Sequence, residues 1–125
     1  MSNIIWQSPV PSSGFLRGVS VQLRPRREIA LAFEFEDANE EMHSGELVFS
    51  EVVHYRTTYM PALRADVIRE AYDRVVDVGT SPELLEVVAA MEANRRTTEV
   101  RHYRVCFDDG PCFDFIAAAF EPLTS

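Results

Sequence analysis

The tripeptide His-Tyr-Arg occurs twice in this chain, at residues 54–56 and again at residues 102–104. Both copies lie in segments with alternating apolar residues, which predicts a β-strand that sends its His and Arg to one face and its Tyr to the other. If the two strands are neighbours, their imidazoles and guanidiniums line one patch that can hold a phosphate or carboxylate and move protons near neutral pH. The residues of this anion-binding or hydrolytic site would be His54, Arg56, His102 and Arg104.

The same tripeptides also have a purely structural interpretation. Tyr55 and Tyr103 would then be buried, the His and Arg side chains would face solvent, and Arg104 would form an ion pair with Asp114 across a hairpin. The chain has no Ser/His/Asp order of the known hydrolases, no glycine-rich phosphate loop and no H-E-x-x-H motif. We therefore favour a protein that is not an enzyme and that needs no cofactor.

A second feature is the acidic segment between Arg27 and Arg56, which holds eight carboxylates and no arginine. The acidic residues outside it equal the 12 arginines in number, so the formal net charge of -8 comes from this segment alone. A focused negative surface attracts basic partners and argues against binding to nucleic acid. The residues predicted to bind a basic protein partner are Glu34, Glu36, Asp37, Glu40 and Glu41.

A metal site is the alternative interpretation of the acidic segment. Asp37-Ala38-Asn39 resembles the opening of an EF-hand loop, but that motif needs glycine and glutamate where this chain has Met42 and Val48. A looser cation site stays open, because clustered oxygens bind hard cations without a strict motif. Its ligands would be Asp37, Glu40, Glu41 and His43. Our prediction is that the protein binds no metal.

The chain has two cysteines, Cys106 and Cys112, and neither belongs to a metal-ligand motif. The predicted hairpin places them opposite each other on one face. A cross-strand disulfide that closes so small a loop is often strained, and cytosolic thiols stay reduced, so we expect both cysteines to be free and partly buried.

Period-two alternation predicts three strands in the first half of the chain, at residues 19–24, 29–36 and about 46–59. Pro25 ends the first of them. Glu51 breaks the alternation of the third strand, which indicates either a bulge near Ser50 or a carboxylate that points inward.

The apolar spacing changes to three and four residues between Val67 and Val76, which predicts a helix that ends at Gly79. A second helix should begin at residues 80–83, with a hydroxyl cap, a proline in the first turn and an acid beside it. Its buried side would hold Leu84, Leu85, Val88 and Met91.

The last third of the chain alternates again on both sides of a turn at Asp109-Gly110, which predicts a β-hairpin. A two-residue loop would set Val105 opposite Asp114, whereas a three-residue loop with a left-handed Gly110 would set it opposite Phe113. We favour the second register, because it pairs Arg104 with Asp114. It also places Cys106 opposite Cys112.

Part of the chain resembles small bacterial proteins of unassigned activity. The resemblance rests on Tyr72-Asp73 through Ser81, on Leu84-Leu85, and on the run from His102 to Phe113, which together span about half of the chain. It implies a compact bacterial accessory domain and assigns a role to no residue.

These patterns predict one α+β domain at residues 1–125, with an antiparallel sheet of about five strands and two consecutive helices packed on one face. Its parts are an extended lead-in (1–18), strands (19–59), two helices (61–95) and a C-terminal hairpin (97–120). The chain shows neither a secretion signal nor a membrane-length apolar run, so we expect a cytoplasmic protein.

For function, the acidic face predicts a non-catalytic protein-binding module, and bacterial immunity proteins that block cationic toxins are an example of this class. Self-association is a further expectation. An exposed edge strand or the apolar run from Phe115 to Phe120 could pair across a two-fold axis and give a homodimer.

Overall fold

The computed structural model describes residues 2–96, 98–108 and 110–124. Seven strands form one antiparallel sheet with the spatial order β1-β5-β6-β7-β4-β3-β2. In chain order the strands are β1 Asn3–Gln7, β2 Leu16–Arg24, β3 Glu28–Glu36, β4 Met42–Tyr59, β5 Arg74–Asp77, β6 Arg101–Cys106 and β7 Pro111–Thr124. The described helices are α1 Ala65–Ala71, α2 Pro82–Ala93 and single 3-10 turns at Ser12–Gly14, Pro25–Arg27 and Met60–Ala62.

The sheet curls around an aromatic core on its inner face. Trp6 on the edge strand β1 lies against Phe33 on β3, with 6.0 Å between ring centroids, although four strands separate β1 from β3 in the sheet. Phe15 stacks on Phe33 at 4.6 Å and Phe49 stacks on Phe115 at 4.0 Å. These rings remove a large apolar area from water, which is the main force that holds the curled sheet together.

Strand β4 is the longest strand and joins the two halves of the sheet. It pairs with β7 over most of its length, but its pairing with β3 ends at Phe49 opposite Ile29. The β4–β7 register shifts between Val52 and His54, and the exposed Glu51 has a left-handed φ of 51°. The predicted bulge is therefore confirmed, and Glu51 points to solvent rather than into the core.

A smaller apolar cluster lies on the outer face of the sheet, where α1 covers β5 and β6. Its buried members are Ala71, Val76, Cys106 and Cys112. Helix α2 begins as predicted, with Ser81 as its N-cap and Pro82 at its first position. None of the side chains of α2 is buried, however, and Leu85 is 58% exposed. Of the predicted buried side, Leu84, Val88 and Met91 are half-buried, so the prediction holds in part for these three residues and is wrong for Leu85.

The expectation of a five-stranded sheet carrying two consecutive packed helices is wrong, because the structure is richer in strands. Helix α1 stops at Ala71, and the next residues form β5, which pairs with β1 and β6. Val75 faces the inner core while Val76 faces the outer cluster. A strand buried on both faces has no apolar alternation, so the sequence pattern resembled the continuation of a helix. The expected lead-in supplies the other additional strand, β1.

The predicted register of the C-terminal hairpin is confirmed within the described residues, which leave out Asp109. Arg104 lies opposite Asp114, and Cys106 lies opposite Cys112. Strand β7 is central, between β6 and β4. The part of the apolar run from Phe115 to Ala117 is thus paired on both sides, and the free edges of the sheet belong to β1 and β2.

Candidate functional site

The predicted partner-binding residues lie together at the hairpin that connects β3 to β4, and we call this set the acidic hairpin. It comprises Glu34, Glu36, Asp37, Glu40 and Glu41. The alternation of β3 buries its phenylalanines on the inner face and sends Glu34 and Glu36 outward. The four glutamates are exposed, whereas Asp37 is half-buried.

Asp37 holds the turn of the acidic hairpin in one conformation. Its Oδ1 accepts hydrogen bonds from the backbone N–H groups of Asn39 at 2.8 Å and Glu41 at 3.0 Å. Its Oδ2 lies 2.8 Å from Nε2 of His43. These bonds from Glu41, His43 and Asn39 lower the pKa of the Asp37 carboxyl. Asp37 therefore shapes the hairpin, and the glutamates carry the free charge.

The acidic segment contains both neutralised and free carboxylates. Glu28 and Glu46 form salt bridges with the same guanidinium, that of Arg24, at 3.2 Å and 2.7 Å. Within residues 2–96, 98–108 and 110–124, the four glutamates of the acidic hairpin form no salt bridge. The negative charge predicted from the sequence thus remains uncompensated mainly at the hairpin.

A polar groove lies beside the acidic hairpin, on the outer face of β2, β3 and β4. It has a volume of about 550 Å³, and its lining includes Ala32, the carboxylates of Glu34 and Glu46, and the side chain of Arg17. The register of β2 shifts between Leu16 and Ser20, and this irregularity forms one end of the groove. The groove adds a concave surface to an otherwise exposed set of charges.

Three of the four residues of the alternative metal site come together in the hairpin. Asp37, Glu41 and His43 each offer a ligand atom, and these atoms lie within 4.8 Å of one another. The Asp37 carboxylate already accepts hydrogen bonds from the turn and contacts His43. The cluster is therefore explained by the structure of the turn, and we assign no metal to it.

The two His-Tyr-Arg tripeptides face the same side of the sheet, but β7 lies between them. Across the three strands, His54, Ile116 and His102 form one row, and Arg56, Asp114 and Arg104 form the next. Three of the four candidate residues therefore meet at Asp114, and His54 lies opposite Ile116 instead. From the sequence, Asp114 is predicted to pair with Arg104 alone.

Asp114 is the centre of a buried polar cluster, which we call the Asp114 cluster. Its Oδ1 lies 2.7 Å from Nε2 of His102 and accepts a hydrogen bond from Nε of Arg104 at 2.8 Å. Its Oδ2 accepts a bond from Arg56 at 3.2 Å. His102 is fully buried, and its Nδ1 lies 2.7 Å from the hydroxyl of Ser81. That hydroxyl accepts the N–H of Leu84 as the cap of α2.

The charges of the Asp114 cluster fix its proton arrangement. Burial alone would raise the pKa of Asp114, but the hydrogen bonds and positive charges of His102 and Arg104 outweigh burial and lower the pKa to about 2. An ionised carboxylate only accepts, so Nε2 of His102 carries the proton of that bond. The Ser81 hydroxyl bonds to Nδ1 of His102 and accepts the N–H of Leu84, so every polar group in this relay has a partner.

The relay runs in the same direction as the Ser-His-Asp relay of hydrolases, in which serine bonds to histidine and histidine to aspartate. Its surroundings differ, because Ser81 is only 5% exposed and its oxygen caps a helix. None of the described cavities is lined by Ser81, His102 or Asp114. The arrangement joins the start of α2 to β6 and β7, and we assign it to stability.

Cys106 and Cys112 form a disulfide that crosses from β6 to β7, with both residues fully buried. The expectation of free cysteines is therefore wrong, although their predicted adjacency is confirmed. The pair lies beneath α1 in the outer apolar cluster.

Comparisons with protein-family models, with curated proteins and with solved structures find no match to this chain. Neither α1 nor α2 is long and apolar enough to span a membrane, and the described residues contain no other helix that is.

Proposed function

We propose that this protein is a non-catalytic module that binds a basic protein through its acidic hairpin. The observation that carries the proposal is the group of four exposed glutamates, which form no salt bridge with any described residue. Unpaired charges at one end of a molecule steer an oppositely charged partner and raise the association rate. Immunity-type inhibition of a cationic toxin is one activity that fits this chemistry.

The rigidity of the hairpin supports the proposal. The carboxylate of Asp37 fixes the turn because it accepts hydrogen bonds from the backbone N–H groups of Asn39 and Glu41. In addition, the backbone N–H of Asp37 donates to the carbonyl oxygen of Glu41 at 2.9 Å. Glutamates on a preorganised turn lose less conformational entropy when a partner binds than glutamates on a mobile loop would. The charges are thereby presented in a fixed pattern.

The polar groove beside the hairpin gives the partner a shape to recognise. Glu34 belongs both to the hairpin and to the lining of the groove. An arginine or lysine side chain of a partner that enters the groove on the side away from Arg17 would meet this carboxylate and the hydroxyl of Ser20. Specificity would come from the groove, and the association rate from the hairpin.

The test compares two variants, each of which loses four negative charges. The hairpin variant carries Gln at Glu34, Glu36, Glu40 and Glu41, and the control variant carries Gln at the exposed Glu70, Glu86, Glu92 and Glu99. Each is used to capture proteins from lysate, and the captured protein is then purified for stopped-flow measurements of association. Asp37 is kept in both variants, so that the turn is preserved.

We expect the control variant to retain the partner, and the hairpin variant to associate about tenfold or more slowly, with a flatter dependence of the rate on salt. Equal association rates and equal salt dependence for the two variants would refute the proposal. Far-UV circular dichroism verifies that both variants keep the fold.

The proposal includes the cytoplasmic location predicted from the sequence, and the cysteines provide its test. Disulfides persist mainly in oxidising compartments, whereas cytosolic thiols are kept reduced. Alkylation of cells before lysis, followed by mass measurement, shows whether Cys106 and Cys112 are bonded in place. Cysteines that are reduced in the living cell, and that form the Cys106–Cys112 bond only on exposure to air after lysis, agree with the cytoplasm, whereas a disulfide already formed in the cell contradicts it.

A further inference from the structure

A second concave site lies at the opposite end of β3 from the acidic hairpin. It is a cleft of about 290 Å³ at the turn between β2 and β3. At this point the pairing of β3 with β4 ends, and β4 continues past the turn. Its apolar lining comes from Leu23, Ile29, Val52, Val53 and Tyr55. The volume is at the lower end of the range of about 300–1,000 Å³ that is typical of ligand pockets, so the cleft suits a small ligand.

The rim of the cleft carries one arginine that is paired and one that is not. Arg24 binds Glu28 at 3.2 Å and Glu46 at 2.7 Å, so its charge and that of Glu28 are engaged. Arg27 also lines the cleft, and it forms neither a salt bridge nor a side-chain hydrogen bond with any residue that the structure describes. His54 lies on the same rim and adds a ring nitrogen. The unpaired charge among the residues that line the cleft is therefore that of Arg27.

Strained backbone lies on both sides of the cleft. Arg26 and Arg27, in the turn between β2 and β3, have left-handed φ angles of 63° and 59°. Glu51 has a φ of 51° in β4, next to the bulge at Val52 that supplies the other wall. Left-handed non-glycine residues cost free energy and occur preferentially at functional sites. Here they hold Arg27 beside the apolar lining.

We propose that this cleft binds a small carboxylate with an apolar body, such as an aryl or short-chain alkyl acid. The apolar body would contact Leu23, Val53 and the ring of Tyr55, and the carboxylate would accept a charge-assisted hydrogen bond from the guanidinium of Arg27. An amine of the same shape would meet an unpaired positive charge and bind poorly. This site is independent of the partner proposed for the acidic hairpin.

The test uses phenylacetate and phenethylamine, which share an apolar body and differ in the sign of their charge. Each is titrated into the full-length protein while backbone amide resonances are followed by NMR. Phenylacetate should shift the amides of Ile29 and of residues 52–55 in a saturable manner, and phenethylamine should not. The variant Arg27→Gln should weaken phenylacetate binding about tenfold or more, a loss of about 1.4 kcal/mol.

The matched control is Arg26→Gln, which makes the same substitution in the same turn at a residue that does not line the cleft. It should bind phenylacetate as the wild type does, and Leu23→Gln should bind less tightly because one apolar wall is lost. Binding that is equal for both ligands, binding unaffected by Arg27→Gln, or no saturable shift with phenylacetate would each overturn the proposal. Retained amide dispersion shows that the variants are folded.

Discussion

Replacement of Asp114 by asparagine tests the assignment of its cluster to stability. The substitution keeps the shape of the side chain but removes the charge that His102, Arg104 and Arg56 surround. Because Asp114 is 3% exposed, water cannot take the place of the lost carboxylate. Removal of one partner from a buried charged network typically costs about 3–5 kcal/mol, which is a large part of the stability of a small domain.

The pH dependence of the free energy of unfolding gives a second, independent measure of what the ionised Asp114 carboxylate contributes to stability. The pKa of Asp114 is about 2 in the folded protein, against an ordinary value of 3.8. A lowered folded-state pKa stabilises the protein above the unfolded-state value, and this stabilisation disappears as the pH falls from about 4 to about 2. At about 1.4 kcal/mol per pH unit, the gap corresponds to about 2.5 kcal/mol.

Urea unfolding at several pH values measures both effects, and the single tryptophan, Trp6, reports on the core through its fluorescence. The free energy of unfolding of Asp114→Asn should lie about 3–5 kcal/mol below that of the wild type at pH 7. The difference should shrink by about 2 kcal/mol at pH 2, where about half of the wild-type Asp114 carboxyl groups are also neutral.

The exposed pair of Arg64 and Asp66 supplies the control, because Asp66→Asn should cost less than about 1 kcal/mol. Two results would refute the role assigned to the cluster. One is an Asp114→Asn protein as stable as the control variant at pH 7. The other is a difference from the wild type that stays constant between pH 7 and pH 2.

Three further predictions concern other parts of the fold. Protein unfolded without reductant should show no free thiol toward Ellman reagent, and reduction of Cys106–Cys112 should lower the free energy of unfolding by about 2 kcal/mol; two reactive thiols would contradict the disulfide. Gly45→Ala would place a methyl group 2.5 Å from the Phe33 ring and should cost about 1–3 kcal/mol in urea unfolding, whereas unchanged stability would show that the ring moves aside. Ser81→Ala should cost about 1–2 kcal/mol in the same assay, and a loss below about 0.3 kcal/mol would remove Ser81 from the support of α2.

The sequence predicted local pairing well where a turn signal and the alternation of polar and apolar residues together set the register. The hairpin of β6 and β7 alternates cleanly around a glycine turn, so the pairing of Arg104 with Asp114 followed from the pattern. Strand β5 could not be predicted in this way, because Val75 and Val76 are both buried, on opposite faces. Apolar neighbours of this kind fit a helix and a doubly buried strand equally.

The Asp114 cluster depends on strand order, which no local pattern contains. His102 and Arg56 reach Asp114 only because β7 lies between β6 and β4. One signal was present in the sequence, since Asp114 is the only acid in an otherwise apolar stretch from Cys112 to Phe120. A lone carboxylate in a buried strand requires counter-charges, and arginines at matching positions on other strands were the available ones.

The two proposed sites can be tested separately because they lie at opposite ends of β3. The strand runs from Glu28, at the cleft, to Glu36, at the acidic hairpin, and nine residues of extended chain span about 27 Å. This separation exceeds the screening length of about 8 Å at physiological salt, so neither charge group should alter the other's ligand appreciably. The hairpin variant should bind phenylacetate normally, and Arg27→Gln should associate with the basic partner normally. Loss of both activities in either variant would instead indicate a single binding surface or a shared defect in folding.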